Sequence, residues 1–342
     1  MDNNNRIVAL DVLKAFAIFI VVWGHVIQFG LTTECYDEPI YKFIYTFHMP
    51  LFMVLCGYFS WNSMRLSWWG VFKKKFISLI VPCISWGVVT YALLFGTHLL
   101  KNKPGGGILE LLSLIWSDYW FLKATFICYI LAWGCYNIIL PRFLSVLFLC
   151  IISQLFQIFN VPVMFPCFLL GMFVKKVIDR KWFVQLIPGY IFLFLLLLML
   201  YKREYYDGTI EASCLGLDIF SFRYLMIILV RSYKFLLGAS AALFFLAICR
   251  KYMWNYNKVM CRINDFILQC GMSSLGIYLL HTLFVTYLMQ NLIHFDNLDS
   301  LLFNILISPI VALAITITCL IMIKVINKNR RLSLLLFGTN YI

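Results

Sequence analysis

The chain has 342 residues, of which 63% are hydrophobic and only 13% charged. A water-soluble fold of this size cannot cover so much apolar surface, so its solvent is lipid. The net charge of +13 invites a nucleic-acid reading, but the basic residues are distributed loop by loop between apolar runs, and that excludes a single binding patch.

The runs predict an all-α, polytopic membrane protein of about ten transmembrane helices, at roughly 20 residues for a hydrocarbon core of about 30 Å. In chain order they fall at Ile7 to Phe29, Phe43 to Trp61, Phe76 to His98, Tyr119 to Leu140, Phe143 to Phe159, Val161 to Val174, Phe183 to Tyr201, Phe222 to Ile248, Met272 to Ile293 and Leu301 to Ile326. They are apolar all round, without the alternation of a membrane β-barrel.

Two segments strain this count. Arg142 to Lys175 encloses 32 uncharged residues, too few for two full spans and about 48 Å long as one helix. Two short helices turning at Asn160, Val161 and Pro162 fit better. The run Phe222 to Ile248 carries Arg231 and Lys234 in its middle.

With these spans, Arg6, Arg65, Lys73 to Lys75, Arg142, Lys175, Lys176, Arg180, Lys181, Arg250, Lys251, Lys258, Arg262, Lys324, Lys328, Arg330 and Arg331 share one side. The opposite loops hold Glu34, Asp37, Glu38, Asp296 and Asp299 with few cations. The positive-inside rule then places both termini in the cytoplasm of a multi-pass cell-membrane protein.

The N-terminal run is no cleavable leader, since Asp11, Lys14 and His25 interrupt it and no small-x-small site follows. The 12 cysteines form no Cys-x-x-Cys pair, and most read as small core residues. Cys35 and Cys214 fall in outer loops, where a disulfide is open to them. Lys101 to Gly107 reads as a flexible outer loop, and residues 1–342 as a single domain.

Ionisable groups inside membrane helices are costly unless they face a partner or a cavity. Asp11, Lys14 and His25 lie on one stripe of the first span, with Lys14 and His25 about 16 Å apart along its axis. One reading is an Asp11–Lys14 ion pair beside a hydrogen-bonded core histidine. The other is a site, favoured by His48 at a similar depth on the next span.

Further motifs resemble the membrane-bound acyltransferase 3 family. The opening Arg6-Ile-Val-Ala-Leu-Asp11-Val-Leu-Lys14, ending in Val-Val-Trp-Gly-His25, resembles the family's first helix, with a basic residue ten intervening positions before the histidine. Phe47-His48-Met49-Pro50-Leu51-Phe52 with Gly57-Tyr58 resembles its second-helix motif. Tyr119-Trp120-Phe121-Leu122 and Gly271-Met-Ser273-Ser274-Leu-Gly276-Ile-Tyr278-Leu-Leu-His281 resemble later signatures. Many members have arginine where this chain has Lys14, which keeps a charge but loses bidentate recognition. Lysine there resembles the branch acting on fucose and related sugars, and no hydrolase-like domain is expected after the membrane part.

The resemblance implies an O-acyltransferase of cell-envelope polysaccharide chemistry. Its donor would be acyl-CoA, with acetyl-CoA expected by family likeness, used as a substrate and not a bound cofactor; its acceptor would be a glycan or lipid-linked saccharide hydroxyl near the outer face. His25 suits a general base, and His48 or Trp120 an oxyanion donor. Lys14, Arg231 and Lys234 are the buried cations available to coenzyme phosphates, and Lys123 and Arg223, nearer the outer face, to the acceptor. Asp11, Tyr278 and His281 read as supporting residues. No metal spacing occurs among the five histidines. No nucleic acid is expected, membrane lipids surround the protein, and a homo-oligomer is left open. A transporter or flippase of lipid-linked or glycan substrates, or an amino-sugar N-acetyltransferase, would also need buried cations.

Overall fold

The computed structural model describes residues 3–31, 35–100, 107–137, 142–155, 157–206, 221–252, 265–289, 295 and 299–339. Among these, all regular structure is helical. Ten segments follow the apolar runs: α1 (Asn3–Gly30), α2 (Pro39–Tyr58), α3 (Val81–Leu100), α4 (Trp120–Asn137), α5 (Arg142–Leu155), α6 (Val161–Val177), α7 (Ile187–Met199), α8 (Phe222–Tyr252), α9 in two pieces (Asp265–Met272 and Ser274–Thr282) and α10 (Ser308–Ile326). π-helical stretches at Phe76–Ile80 and Phe303–Ile307 lead into α3 and α10, and another, Leu283–Met289, extends α9.

The segments are unequal. Among the described residues, Val8–Gly30, Pro39–Tyr58, Trp68–Gly96, Phe222–Tyr252 and Ser300–Ile326 are long and apolar enough to cross a bilayer, and α9 makes a sixth if its pieces, bent by 74°, count as one crossing. The remaining segments among the ten are shorter apolar helices. The 14-residue α5 and 13-residue α7 reach only about 20 Å at 1.5 Å per residue. The turn expected between α5 and α6 is present, with Phe159 and Asn160 both at positive φ (49° and 55°) and Pro162 in the first turn of α6.

Several short helices lie outside the expected runs, two of them with exposed apolar faces. Ile108–Ser117 lies before α4 and exposes Ile108, Leu109, Leu112 and Trp116. Arg330–Phe337 packs under α3, where the Trp86 indole donates to the Leu336 carbonyl at 2.7 Å, and it exposes Leu332, Leu334 and Leu335.

Hydrogen bonds and ion pairs tie each end of the bundle together. At the basic end, the Cys249 thiol donates to the Ala9 carbonyl (3.2 Å), Trp133 Nε1 to the Leu66 carbonyl (2.9 Å), and Arg250 pairs with Asp179 (3.5 Å). At the other end the Phe295 amide donates to the Gly30 carbonyl (2.9 Å), and Asp37 pairs with Lys42 and Arg203, each at 3.4 Å.

Small residues set the closest approaches, as expected where lipid supplies no hydrophobic drive between helices. A Cβ at Gly57 of α2 would overlap the Phe168 carbonyl of α6, and one at Gly171 of α6 would overlap the Val54 carbonyl of α2. Gly271, in the first piece of α9, lies in the same way against the backbone of α1 at Asp11. With α9 held there, its second piece runs beside α1 toward His25.

Candidate active site

A cavity of about 450 Å³ opens between α1, α2, α6, α8, α9 and the turn before α4. His25, His48, Trp120, Lys234, Tyr278 and His281 all line it. His25 and His48 thus share one cavity wall. His281 comes still closer, with its Nε2 3.0 Å from His25 Nδ1.

His48 is buried, and its Nδ1 lies 2.8 Å from the Ile44 carbonyl one turn back. A carbonyl only accepts, so the proton of a neutral ring sits on Nδ1 and Nε2 keeps a lone pair. That corrects one expectation: in this tautomer His48 can accept a hydrogen bond from a hydroxyl but has no proton for an oxyanion. The indole N–H of Trp120, which is always a donor, keeps that option.

Aromatic side chains form much of the wall. Tyr41 and Tyr45 stack with centroids 3.8 Å apart, and Tyr45 stands edge-on to His48 at 4.6 Å. The Tyr45 hydroxyl donates to Gln28 Oε1. Tyr36, Tyr119, Tyr206 and Asn160 line the cavity as well. None of these was named as a site residue in the sequence analysis, although Tyr119 begins a family-like motif, Asn160 lies in the expected turn, Tyr41, Tyr45 and His48 follow an i, i+4, i+7 stripe on α2, and Gln28 lies one turn beyond His25 on α1.

The turn before α4 carries Tyr119 at φ 54°, a left-handed conformation uncommon for a bulky residue. Three hydrogen bonds hold it. The Tyr119 hydroxyl donates to the Leu279 carbonyl of α9 at 3.2 Å, and the Lys123 ammonium donates to the carbonyls of Trp116 (2.6 Å) and Asp118. Lys123 is 8% exposed and does not line the cavity. Its geometry thus fits a clamp on the turn and not the acceptor contact expected of it.

The other expected cations also separate. Arg231, 3% exposed, donates to the Gln154 carbonyl (2.5 Å) and to Gln157 Oε1 (2.8 Å), tying α8 to the α5–α6 turn. Lys234, three residues on, points instead into the histidine cavity, with its ammonium 4.8 Å from the Tyr206 ring. Arg223 is exposed at the start of α8, away from the cavity wall. Lys14 pairs with buried Asp11 at 2.5 Å and sits 5.2 Å from the Phe59 ring, toward the basic end.

A cation not singled out earlier joins Lys14. Lys75 closes the short helix Trp68–Lys75, and its ammonium lies 3.7 Å from the Tyr129 ring. Both lysines lie near Cys56 of α2, which they approach from different elements. Among the described residues Lys75 has no ion-pair partner, and no three His, Cys, Asp or Glu side chains have metal-binding geometry. Cys35 is buried, whereas Cys214 lies outside the described residues.

The family described as an acyltransferase domain matches residues 7–324. The chain is similar to nodulation protein NolL of Mesorhizobium japonicum, 31% identical over 132 residues, which is 37% of this chain and 35% of that protein. It is also similar to nodulation protein NolL of Sinorhizobium fredii, 26% identical over 187 residues, 52% of this chain and 51% of that protein. The matched regions thus span about half or less of these relatives. No solved structure matches the chain. Since the family match covers nearly all of the helical bundle, including α1 with His25 and α9 with His281, the chain is a multi-pass membrane protein belonging to the acyltransferase 3 family.

Proposed function

We propose that the protein is an O-acyltransferase that moves an acyl group, acetyl by preference, from acyl-CoA to a hydroxyl of a glycan or lipid-linked saccharide. The observation that carries this reading is His25, set in the cavity wall with its Nδ1 bonded to His281. That arrangement leaves Nε2 of His25 as the available base.

In the reaction the acceptor oxygen attacks the thioester carbonyl while its proton passes to His25 Nε2. The tetrahedral oxyanion takes a hydrogen bond from Trp120 Nε1. Collapse breaks the C–S bond, and the proton held by His25 returns to the departing thiolate. His48 Nε2 accepts from a neighbouring hydroxyl of the acceptor, whose pyranose faces stack on the tyrosine-lined wall.

The basic end is assigned to the cytoplasm by the positive-inside rule, so the donor's phosphates enter near Lys14 and Lys75. His25 then lies about 16 Å from Lys14 along α1, a distance the coenzyme's extended arm has to bridge. Purified protein incubated with labelled acetyl-CoA and a panel of glycans should yield labelled product, and His25→Ala should not. Full turnover by His25→Ala, or none by the wild type with any acyl-CoA and acceptor, would overturn the reading.

A further inference from the structure

His281 is 1% exposed and belongs to the short second piece of α9, which restarts after the bend at Ser273. Its Nδ1 lies 3.0 Å from the Ile277 carbonyl, one turn back. Because the carbonyl can only accept, the proton of a neutral His281 ring is on Nδ1, and its Nε2 carries the lone pair. That lone pair faces His25 Nδ1 at 3.0 Å. The contact is a hydrogen bond only if His25 carries its own proton on Nδ1.

The chain of donors therefore runs from His25 Nδ1–H to His281 Nε2, and from His281 Nδ1–H to the Ile277 carbonyl. Each link fixes the tautomer of the next. Among the described residues neither ring has a carboxylate within ion-pair distance, so the network is built from neutral groups. The rings lie 5.0 Å apart, and Tyr278 flanks His281 at 5.7 Å, which restricts the rotation of both imidazoles.

We propose that His281 is the positioning residue for His25: it holds the imidazole in the Nδ1–H tautomer, so that the basic lone pair is on Nε2. When Nε2 takes the acceptor's proton, the Nδ1–H bond to His281 becomes charge-assisted and stronger. This is the division of labour in which a base is oriented by a third group, with a neutral imidazole as the orienting group. The inference rests on the reading of His25 as general base.

The test compares His281→Leu, which removes the acceptor at similar bulk, with His281→Gln, whose side-chain oxygen can still accept from His25 Nδ1–H. Steady-state kinetics should show kcat about 100-fold or more lower in His281→Leu, with the Michaelis constants for donor and acceptor within about twofold. His281→Gln should recover at least tenfold of that loss, on the order expected for one hydrogen bond. In a His25→Ala background, His281→Leu should lower the residual rate no further, since a positioning residue acts only through its base.

Near-normal kcat in His281→Leu, with His25→Ala inactive, would overturn this proposal and leave the acyltransferase reading intact. Activity in His25→Ala would sink that reading first. If His281→Leu does not fold, ring ¹⁵N NMR of the wild type decides the matter, with the His25 signals assigned by their loss in His25→Ala. A proton on Nδ1 of His25 supports the proposal, and a proton on Nε2 overturns it.

Discussion

Gly271 presses its Cα against the backbone of Asp11, so closely that a Cβ there would overlap the Asp11 carbonyl oxygen. This contact fixes α9 on α1, ten residues before His281. Gly271→Ala should force the helices apart, at about 1–3 kcal/mol for overpacking, and separate His281 from His25. The expected outcome is a lower melting temperature together with reduced kcat. Gly189→Ala, where nothing lies within 4 Å of the added carbon, is the control and should leave both unchanged. Equal behaviour of the two variants would remove the contact from the argument.

A second prediction concerns Lys123. If its ammonium holds the turn through the Trp116 and Asp118 carbonyls, Lys123→Met should cost about 1.5–3 kcal/mol, the range for hydrogen bonds to a charged group. Thermal unfolding in detergent would record it. A raised acceptor Michaelis constant in a fully stable Lys123→Met would instead return Lys123 to substrate binding.

Arg231 offers a parallel test. Its bonds to Gln154 and Gln157 predict that Arg231→Met lowers stability while the Michaelis constant for acyl-CoA stays within about twofold of wild type. A tenfold rise in that constant, with normal stability, would put Arg231 back at the donor.

These two cases show what the sequence could and could not tell. The Asp11, Lys14 and His25 stripe was legible because one helix fixes the relative positions of its own residues. So was the turn at Asn160, whose neighbours are a proline and two uncharged runs. Lys123 and Arg231 were misplaced because depth in the membrane says which residues are buried but not which way they point. Lys123 turns back onto carbonyls of the preceding turn, and Arg231 reaches across to the α5–α6 turn. His281 was noted only as a supporting residue, since its contact with His25 joins positions 256 residues apart. The bend at Ser273 that brings it there is marked in sequence only by Gly271 and two serines, a weak signal inside an apolar run. The shortness of α5 was legible from the charges that bound it, whereas that of α7 was not, because apolar runs report burial more directly than helix length.

The last prediction separates two roles for Lys14. It is paired with Asp11 at 2.5 Å, and Asp11 is buried, so Lys14→Ala would strand a carboxylate and cost stability whatever else the lysine does. A simple alanine variant therefore cannot tell an ion pair from a coenzyme site. The double variant Asp11→Asn, Lys14→Met can, because it removes both charges and leaves no buried ion unpaired. If the pair is only structural, that protein should fold well and show a normal Michaelis constant for acyl-CoA. If Lys14 also meets the donor's phosphates, the constant should stay raised about tenfold, the equivalent of one charge-assisted bond of about 1.4 kcal/mol. Lys14→Arg should keep most of the affinity because the charge remains. Lys75, which also lies near Cys56, should behave as Lys14 does in the second case, with Lys75→Met raising the same constant and leaving that of the acceptor alone. Steady-state kinetics at varied acyl-CoA and saturating acceptor make the measurement, repeated at higher salt, where a phosphate contact weakens and a buried Asp–Lys pair does not. A normal, salt-insensitive donor constant in both the double variant and Lys75→Met would remove the two lysines from the donor site.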